Sequence, residues 1–209
     1  MKMSQSVALG LKNSKRLARY SDVTGMPQSM FVDATGRING VWIMGNNYRR
    51  ASKDLYGSYP HGYLKRMRAL FEKECENPKQ VLHLFAGGID EYKGVIPGTT
   101  LDERFEVSPT YRGKAEILLR QRRVLKDKRI VFADPPYSVE DAEHYQTTMV
   151  KRNLIMALLS AGLCRGAFVV WLDQVLPMYR KTDFRIIGVI GMMKSTNHRF
   201  RVVTIFEKV

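Results

Sequence analysis

Short stretches made mostly of apolar residues are the feature of this sequence that most restricts its fold. They occupy residues 81–85, Ile130–Ala133 and residues 166–172, and each is too short for a buried helix but long enough for a strand. Residues 62–74 and 145–163 carry apolar side chains at helical spacing instead. Strands that are apolar on both faces must be covered on both faces. The sequence therefore predicts an α/β fold, a mostly parallel sheet with helices on both faces.

Length and charge restrict what such a fold can do. The chain has 209 residues, which is enough for one core and too few for two full domains. Its net charge is +14, which indicates a nucleic-acid partner because Lys and Arg gain free energy by displacing the counterions of a polyanion. A basic but merely soluble surface is the alternative.

Cysteine usage and hydropathy give an expected location. Cys75 and Cys164 lie far apart and match no metal-ligand spacing, so reduced thiols in a cytoplasmic protein are expected. No apolar run reaches the length of a membrane span, and a membrane partner is therefore not expected.

The apolar stretch Ile130–Ala133 leads into Asp134, Pro135, Pro136 and Tyr137. Two prolines fix φ and remove two backbone donors, so the loop is stiff and its carbonyls can accept hydrogen bonds. A carboxylate, free carbonyls and an aromatic ring on one rigid loop suit a planar ring that carries an exocyclic amine. A strand that merely ends in a proline turn is the alternative.

This loop resembles the catalytic motif of the class I, S-adenosylmethionine-dependent amino-methyltransferases, which methylate adenine N6 or cytosine N4 in nucleic acids. The resemblance implies that Asp134 and the Pro135 carbonyl accept the amine hydrogens, and that Tyr137 stacks on a flipped base. It makes Asp134, Pro135, Pro136 and Tyr137 the catalytic candidates, with no metal. Glutamine methyltransferases carry Asn at the Asp134 position, so a protein substrate is not expected.

A second motif of the same family precedes this loop. Phe85-Ala86-Gly87-Gly88 resembles the family's Phe-x-Gly-x-Gly turn, with Ile89 in place of the last glycine. Members often carry a cofactor-contacting segment before this turn and a ribose-binding acid at the end of the next strand. The resemblance therefore implies an S-adenosyl-L-methionine site made by Tyr59, Pro60, Phe85, Ala86, Gly87, Gly88 and Asp102. Core packing of the tyrosine and an ordinary strand-terminal aspartate are the alternatives.

Two groups of cations are candidates for phosphate contact: the pair Arg49 and Arg50, and a dense cluster after residue 111. A solvated helix face would also account for the cluster. The predicted nucleic-acid-binding residues are Arg49, Arg50, Arg120, Arg122 and Arg123, and further candidates near the N-terminus are Lys12, Lys15, Arg16 and Arg19.

The chain is predicted to divide at residue 50. Residues 1–50 are expected to form a basic N-terminal extension, either a short hairpin or an arm, with a short helix possible between residues 7 and 17. Residues 51–209 are expected to form the catalytic domain. The resemblance implies a Rossmann-like methyltransferase sheet, mostly parallel, with the last strand as an antiparallel edge strand.

The functional prediction is methyl transfer to a DNA base, adenine N6 before cytosine N4. RNA as the substrate is the first alternative, because stacking and amine recognition do not distinguish the two polymers. A nucleic-acid-binding protein on a decayed methyltransferase scaffold is the second. Ile89 favours that alternative, as does Lys114, which stands where members often carry an acid that contacts adenine.

Overall fold

The computed structural model describes residues 4–45, 57, 59–88, 94–194 and 199–209. Its helices are α1 (Gln5–Ala18), α2 (Tyr20–Thr24), α3 (Tyr63–Leu70), α4 (Glu72–Cys75), α5 (Ala115–Leu118), α6 (Arg122–Leu125), α7 (Val139–His144) and α8 (Arg152–Gly162). Its strands are β1 (Met30–Val32), β2 (Ile38–Met44), β3 (Val81–Leu84), β4 (Thr99–Asp102), β5 (Tyr111–Arg112), β6 (Ile130–Ala133), β7 (Phe168–Asp173), β8 (Phe184–Lys194) and β9 (Phe200–Lys208).

The strands of these ranges form one sheet in the order β1-β2-β8-β9-β7-β6-β3-β4-β5. Strands β2 to β8 share one direction, whereas β1 and β9 run against it. The predicted mostly parallel sheet with an antiparallel edge strand is confirmed, and that edge strand is β1. The last strand, β9, is antiparallel as expected but lies inside the sheet between β7 and β8. The edge expected there is covered by β8 and the N-terminal hairpin.

Both faces of the sheet are covered over its centre, as the unbroken apolar strands predict. On one face α1 and α3 pack against side chains such as Val81, Ile130 and Phe132. On the other face α5, α6 and α8 pack against the alternate residues, such as Val131 and Val169. Neighbouring strand residues point to opposite faces, so each strand contributes to both cores.

The N-terminal segment is more ordered than an arm. The predicted hairpin forms, with Met30 paired to Gly40, and α1 is a helix of 14 residues. However, β2 pairs in parallel with β8 along its whole length, and α1 buries Leu9 and Leu17 in the same core as β3 and β6. The predicted boundary at residue 50 therefore does not separate two cores.

Two predicted helices are shorter than their apolar periodicity suggests. Residues 62–74 form α3 and α4, which are separated at Phe71 by a non-helical backbone (φ −128°, ψ 36°). Residues 145–163 contain only α8, because Gln146 takes a left-handed φ of 54° after α7 ends. In the described residues, no helix has the length and apolar character needed to span a membrane.

Candidate active site

The two predicted motifs meet at the carboxyl ends of β3 and β6. These strands are adjacent and parallel, and Leu84 is directly opposite Ala133 in the register. The residues that follow these two strands are Phe85, which begins the glycine turn, and Asp134, which begins the catalytic loop. From β3 the strand order continues through β4 to β5, whereas β6 lies on the other side of β3. Ligands of open α/β sheets bind at such a reversal of strand order.

Asp134 lies half-buried at the end of β6, and its Oδ1 accepts a hydrogen bond from the Tyr137 hydroxyl. Burial raises the pKa of the Asp134 carboxyl to about 6, against the opposing effect of the Arg201 guanidinium. Pro135 and Pro136 are buried, and within the described part of the chain no hydrogen bond reaches the Pro135 carbonyl. This carbonyl and the remaining carboxylate oxygen, Oδ2, are therefore available as acceptors.

Arg152, the first residue of α8, binds the backbone of the catalytic loop. Its guanidinium binds the buried carboxylate of Asp173, with Nε 2.7 Å from Oδ2 and Nη2 3.2 Å from Oδ1. The same Nη2 donates to the carbonyl oxygens of Pro136 at 3.3 Å and Tyr137 at 3.2 Å. Asp173 ends β7, the strand next to β6, and also accepts from Trp171 Nε1 at 3.0 Å. One ion pair thus fixes the loop to the neighbouring strand.

Tyr137 has a cation on its ring. The Arg201 guanidinium carbon lies 4.5 Å from the ring centroid. Arg201 is near the start of β9, which runs antiparallel to β7, so this residue lies by the carboxyl ends of the parallel strands. Burial, followed by the charge of Asp134, raises the pKa of the Tyr137 hydroxyl well above its ordinary value. The ring is therefore a neutral hydrogen-bond donor to Asp134. Stacking of Tyr137 on a base stays a prediction, because Arg201 covers part of this ring.

The glycine turn is held by its own neighbours. Gly87 N–H donates to Asp102 Oδ2 at 2.9 Å, and Gly88 N–H donates to the Gly57 carbonyl at 2.8 Å. Gly87 has a φ of 54°, and a Cβ atom on it would lie 1.9 Å from the Gly57 oxygen. Only glycine fits there, which is the reason for that residue in the motif.

Asp102 ends β4, as predicted, but its carboxylate is engaged within the protein. Besides Gly87, it accepts from the Arg104 backbone N–H at 2.9 Å and from Arg104 Nε at 3.3 Å. In the described residues Oδ2 accepts only the bond from Gly87 and can accept one more, and the predicted ribose contact stays a prediction. Phe85 and Ala86 lie on the same turn, Phe85 with a left-handed φ of 58°. Ile89 lies outside the described residues.

Tyr59 and Pro60 are buried beside β3. The Tyr59 ring stacks on Tyr63 with centroids 5.2 Å apart, and its hydroxyl lies 3.3 Å from His83 Nδ1. Burial lowers the pKa of His83 to about 4, so this imidazole is neutral and structural. The charge of Asp134 raises the pKa of both tyrosines further, after burial itself. Tyr59 therefore packs in the core, and its contact with the cofactor stays a prediction.

The predicted phosphate contacts divide into three groups. Arg120, Arg122 and Arg123 are exposed on and before α6, away from the catalytic loop, and Arg49 and Arg50 lie outside the described residues. Near the N-terminus three of the candidate cations form ion pairs with carboxylates, and their phosphate contacts stay predictions: Lys12 pairs with Glu207, Arg16 with Glu74 and Arg19 with Glu72. In the basic cluster Lys128 is buried, and its Nζ donates to the Thr99 hydroxyl at 2.7 Å.

Three residues that hold the site were not found by sequence reasoning. They are Arg152, Asp173 and Arg201. None of these residues belongs to a recognisable sequence motif, and each contacts a partner that is distant along the chain. Asp173 had a weak signal, since it ends an apolar stretch in the same way as Asp134 does. Arg201 is a cation inside an apolar strand pattern, which is a sign of a buried partner.

Comparison with known proteins identifies the fold. No protein-family model and no curated protein matches the sequence. Similar solved structures include TrmN from Thermus thermophilus, at 16% identity and a TM-score of 0.50 over 73% of this chain and 50% of that one. They also include yhhF from Escherichia coli, at 15% identity and a TM-score of 0.47 over 74% and 89%. An rRNA methylase from Streptococcus thermophilus has 10% identity and a TM-score of 0.40 over 66% and 93%.

This chain has the Rossmann-like methyltransferase fold. At these identities the similarity extends to the fold alone, and the chain spans half of the length of TrmN.

Proposed function

We propose that this protein is an S-adenosylmethionine-dependent methyltransferase that modifies the exocyclic amine of a DNA base, adenine N6 first. The observation that carries the proposal is the position of the two motifs. The glycine turn and the Asp134 loop begin at adjacent, directly paired positions where the strand order reverses. That crevice is where a nucleotide-like cofactor and an acceptor loop have to meet for direct transfer.

The residues around this crevice fit the cofactor. Gly87 leaves no room for a side chain, so a ligand can approach its backbone closely. The Tyr63 hydroxyl is buried and has no hydrogen-bond partner in the described residues, and the charge of Asp134 acts on it. We assign cofactor binding to Tyr59, Pro60, Phe85, Ala86, Gly87, Gly88 and Asp102. When bound, S-adenosylmethionine supplies a methyl group on a sulfonium.

Asp134 and Pro135 prepare the amine for reaction. An exocyclic amine is a poor nucleophile because its lone pair is delocalised into the ring. Hydrogen bonds from its two N–H groups to Asp134 Oδ2 and to the Pro135 carbonyl draw the nitrogen toward tetrahedral geometry and free the lone pair. Each such preorganised group is worth roughly 2–4 kcal/mol in related cases. With a pKa of about 6, the Asp134 carboxylate also takes up the proton that the amine loses as the new C–N bond forms.

Arg152 and Tyr137 orient Asp134. The Tyr137 hydroxyl occupies Oδ1, which leaves Oδ2 for the substrate. Arg152 donates to the carbonyl oxygens of Pro136 and Tyr137 and so fixes the backbone of the loop. The groups that accept the amine hydrogens therefore do not have to be ordered during the reaction. Phosphate contacts are assigned to Arg120, Arg122 and Arg123 on the basis of charge and exposure, and to Arg49 and Arg50 on the basis of charge alone.

One observation favours a binding protein on a decayed scaffold. The N–H groups of Gly87 and Gly88 are both satisfied by internal acceptors, so the turn already has the bonds that a cofactor would otherwise supply to these donors. Calorimetry with S-adenosylmethionine and with its demethylated product distinguishes the two functions. Binding of either supports the enzyme, and no heat for both at millimolar concentration supports the binding protein.

The activity test uses labelled cofactor with separate DNA and RNA pools, followed by mass spectrometry of the nucleosides. We expect N6-methyladenine from the DNA pool and none from an Asp134→Ala variant. Methyl groups on RNA alone would reassign the polymer, and N4-methylcytosine would reassign the base. A variant that retained most of the single-turnover rate would contradict the role of Asp134.

A further inference from the structure

Beyond the catalytic crevice, the outer strands of the sheet leave one face uncovered. In the register, Phe31 pairs with Asn39 and Asn39 with Val189, while Val41 pairs with Gly191. One row farther, Ile43 pairs with Met193 and Met193 with Phe200. Because residues two apart point to the same side, these rows form one surface. We call it the outer sheet face; it comprises Phe31, Asn39, Val41, Ile43, Val189, Gly191, Met193, Phe200 and Val202.

This surface is exposed and continuous. The opposite sides of the same strands bury Ile38, Trp42 and Met192, so each strand is half-covered. Six of the seven apolar side chains of the outer sheet face are 36% to 72% exposed, and the seventh, Val202, is half-buried. Its one gap, at Gly191, is closed by the ring of Phe200, since a Cβ on Gly191 would lie 2.9 Å from Phe200 Cζ.

The composition of the outer sheet face indicates its partner. The chain has 34 Lys and Arg among 209 residues, yet none of the nine residues of this surface is charged. A surface for nucleic acid would carry cations between its aromatic rings. A surface without charge is what two copies of a strongly basic chain need where they touch, because interface centres are depleted of charged residues.

The size of the surface fits the same partner. Its six exposed apolar side chains present roughly 500 Å², taking about 150–200 Å² for a whole side chain of this kind. That is near the upper end of the apolar patches that monomers expose. Two copies face to face bury about 1,000 Å² from these side chains alone, which is the lower limit for a biological interface before any rim is counted. Sheets that pack face to face bury alternating apolar residues of this pattern.

We propose that this protein forms a two-fold symmetric dimer in which the outer sheet faces of two copies pack against each other. Each copy contributes the same residues, as a two-fold contact requires. The residues of the outer sheet face are distinct from those of the catalytic loop, although Arg201 of β9 contacts Tyr137. The proposal does not depend on the proposed enzymatic function.

Sedimentation velocity of the full chain over a micromolar concentration series tests the proposal. We expect a reversible dimer, and we expect Ile43→Lys to weaken it by about 30-fold or more, because each interface would then hold two buried, unpaired ammonium groups. Val41→Thr keeps the β-branched shape and should weaken the dimer to a smaller extent. The matched control is Ile117→Lys, since Ile117 is 61% exposed on α5 and lies on the other part of the molecule. It should leave the dimer unchanged.

Several results would overturn the proposal. One is a monomer at every concentration, and another is a dimer that Ile43→Lys and Ile117→Lys affect equally. A Met193→Cys variant in which the exposed Cys164 is replaced by Ser, carrying a fluorescent label, reports on other occupants of the surface. Quenching of a monomeric labelled protein by single-stranded DNA, or a blue shift with neutral phosphatidylcholine vesicles, would assign the surface to nucleic acid or to lipid instead.

Discussion

Asp134 is the residue at which the demands of folding and of chemistry oppose each other. Its folded-state pKa of about 6 lies above the ordinary value of 3.8, so folding favours the protonated form. Its contribution to stability is fully present below pH 4 and is lost as the pH rises from about 4 through 6. The proposed role requires the carboxylate, which is the less stable form. Activity should therefore rise over the range in which stability falls.

Asp134→Asn separates these two effects. The amide oxygen still accepts from the Tyr137 hydroxyl, and the buried charge is gone. Above pH 7 we expect the variant to be more stable than the wild type by about 1–3 kcal/mol, with the difference vanishing near pH 4. Denaturant unfolding at a series of pH values measures this, and labelled transfer should show activity lost at every pH. A variant less stable than the wild type at pH 8 would contradict the burial argument.

Arg152 acts on the site through Asp173, and its effect has a pH signature. The charge of Asp173 is among the causes that raise the pKa of Asp134, and Arg152 partly neutralises it. Arg152→Gln should therefore shift the acidic limb of the rate profile to higher pH and lower kcat by about 10-fold or more, with cofactor affinity within a few-fold. The measurement is transfer rate against pH, with calorimetry for the cofactor.

The matched control for this prediction is Arg185→Gln. Arg185 also pairs with a buried carboxylate, Glu207, through Nε at 2.9 Å and Nη2 at 2.7 Å, but at the amino ends of β7 and β8. It should lower the free energy of unfolding without moving the acidic limb. Equal shifts of the limb in both variants would mean that Arg152 acts only on stability.

At the scale of elements, the turn after β3 depends on one glycine more than on the other. Gly87→Ala would place a methyl group 1.9 Å from the Gly57 oxygen at a φ of 54°, whereas Gly88→Ala meets the same oxygen at 3.9 Å. We expect Gly87→Ala to lower the free energy of unfolding by about 2 kcal/mol or more and to weaken cofactor binding strongly. Gly88→Ala should cost far less stability. Thermal unfolding and calorimetry compare the two, and equal losses would show that the Gly57 contact is not decisive.

Strands were more predictable from the sequence than helices. Buried strands such as Ile130–Ala133 are unbroken apolar runs ended by an acid or a glycine, and this local pattern fixes their bounds. The helical spacing of apolar residues in 145–163 extends across Gln146, where the left-handed backbone prevents a helix. This spacing indicates which side of a helix would be buried, but it carries no information on the φ angle of a single residue. The loop motif located Asp134 to Tyr137, but Arg152 and Arg201 reach it only through tertiary contacts.

At the scale of the whole molecule, the net charge is not spread evenly over functional surfaces. Arg19, which follows α1, is paired with the carboxylate of Glu72, whereas Arg122 is exposed on α6. We expect Arg122→Gln to reduce the slope of log affinity against log salt by about 0.9 for duplex DNA. Arg19→Gln should leave the slope unchanged. Filter binding over a salt series measures both.

A combined substitution enlarges this effect. Replacing Arg120, Arg122 and Arg123 together by Gln should reduce the slope by about 3. A slope that did not change would show that nucleic acid contacts another part of the surface, and the assignment of the α6 cations would be wrong.

The interior position of β9 has a consequence for synthesis. On the ribosome, β3 to β7 can assemble as a parallel unit and β2 can pair with β8, but the described strands hold these two units together only through β9. Until residues 200–208 have been translated, β7 and β8 each present an unpaired edge, and such edges recruit other chains. Completion of the sheet thus has to wait for β9. Nascent chains stalled before Phe200 should depend on chaperones that full-length chains release.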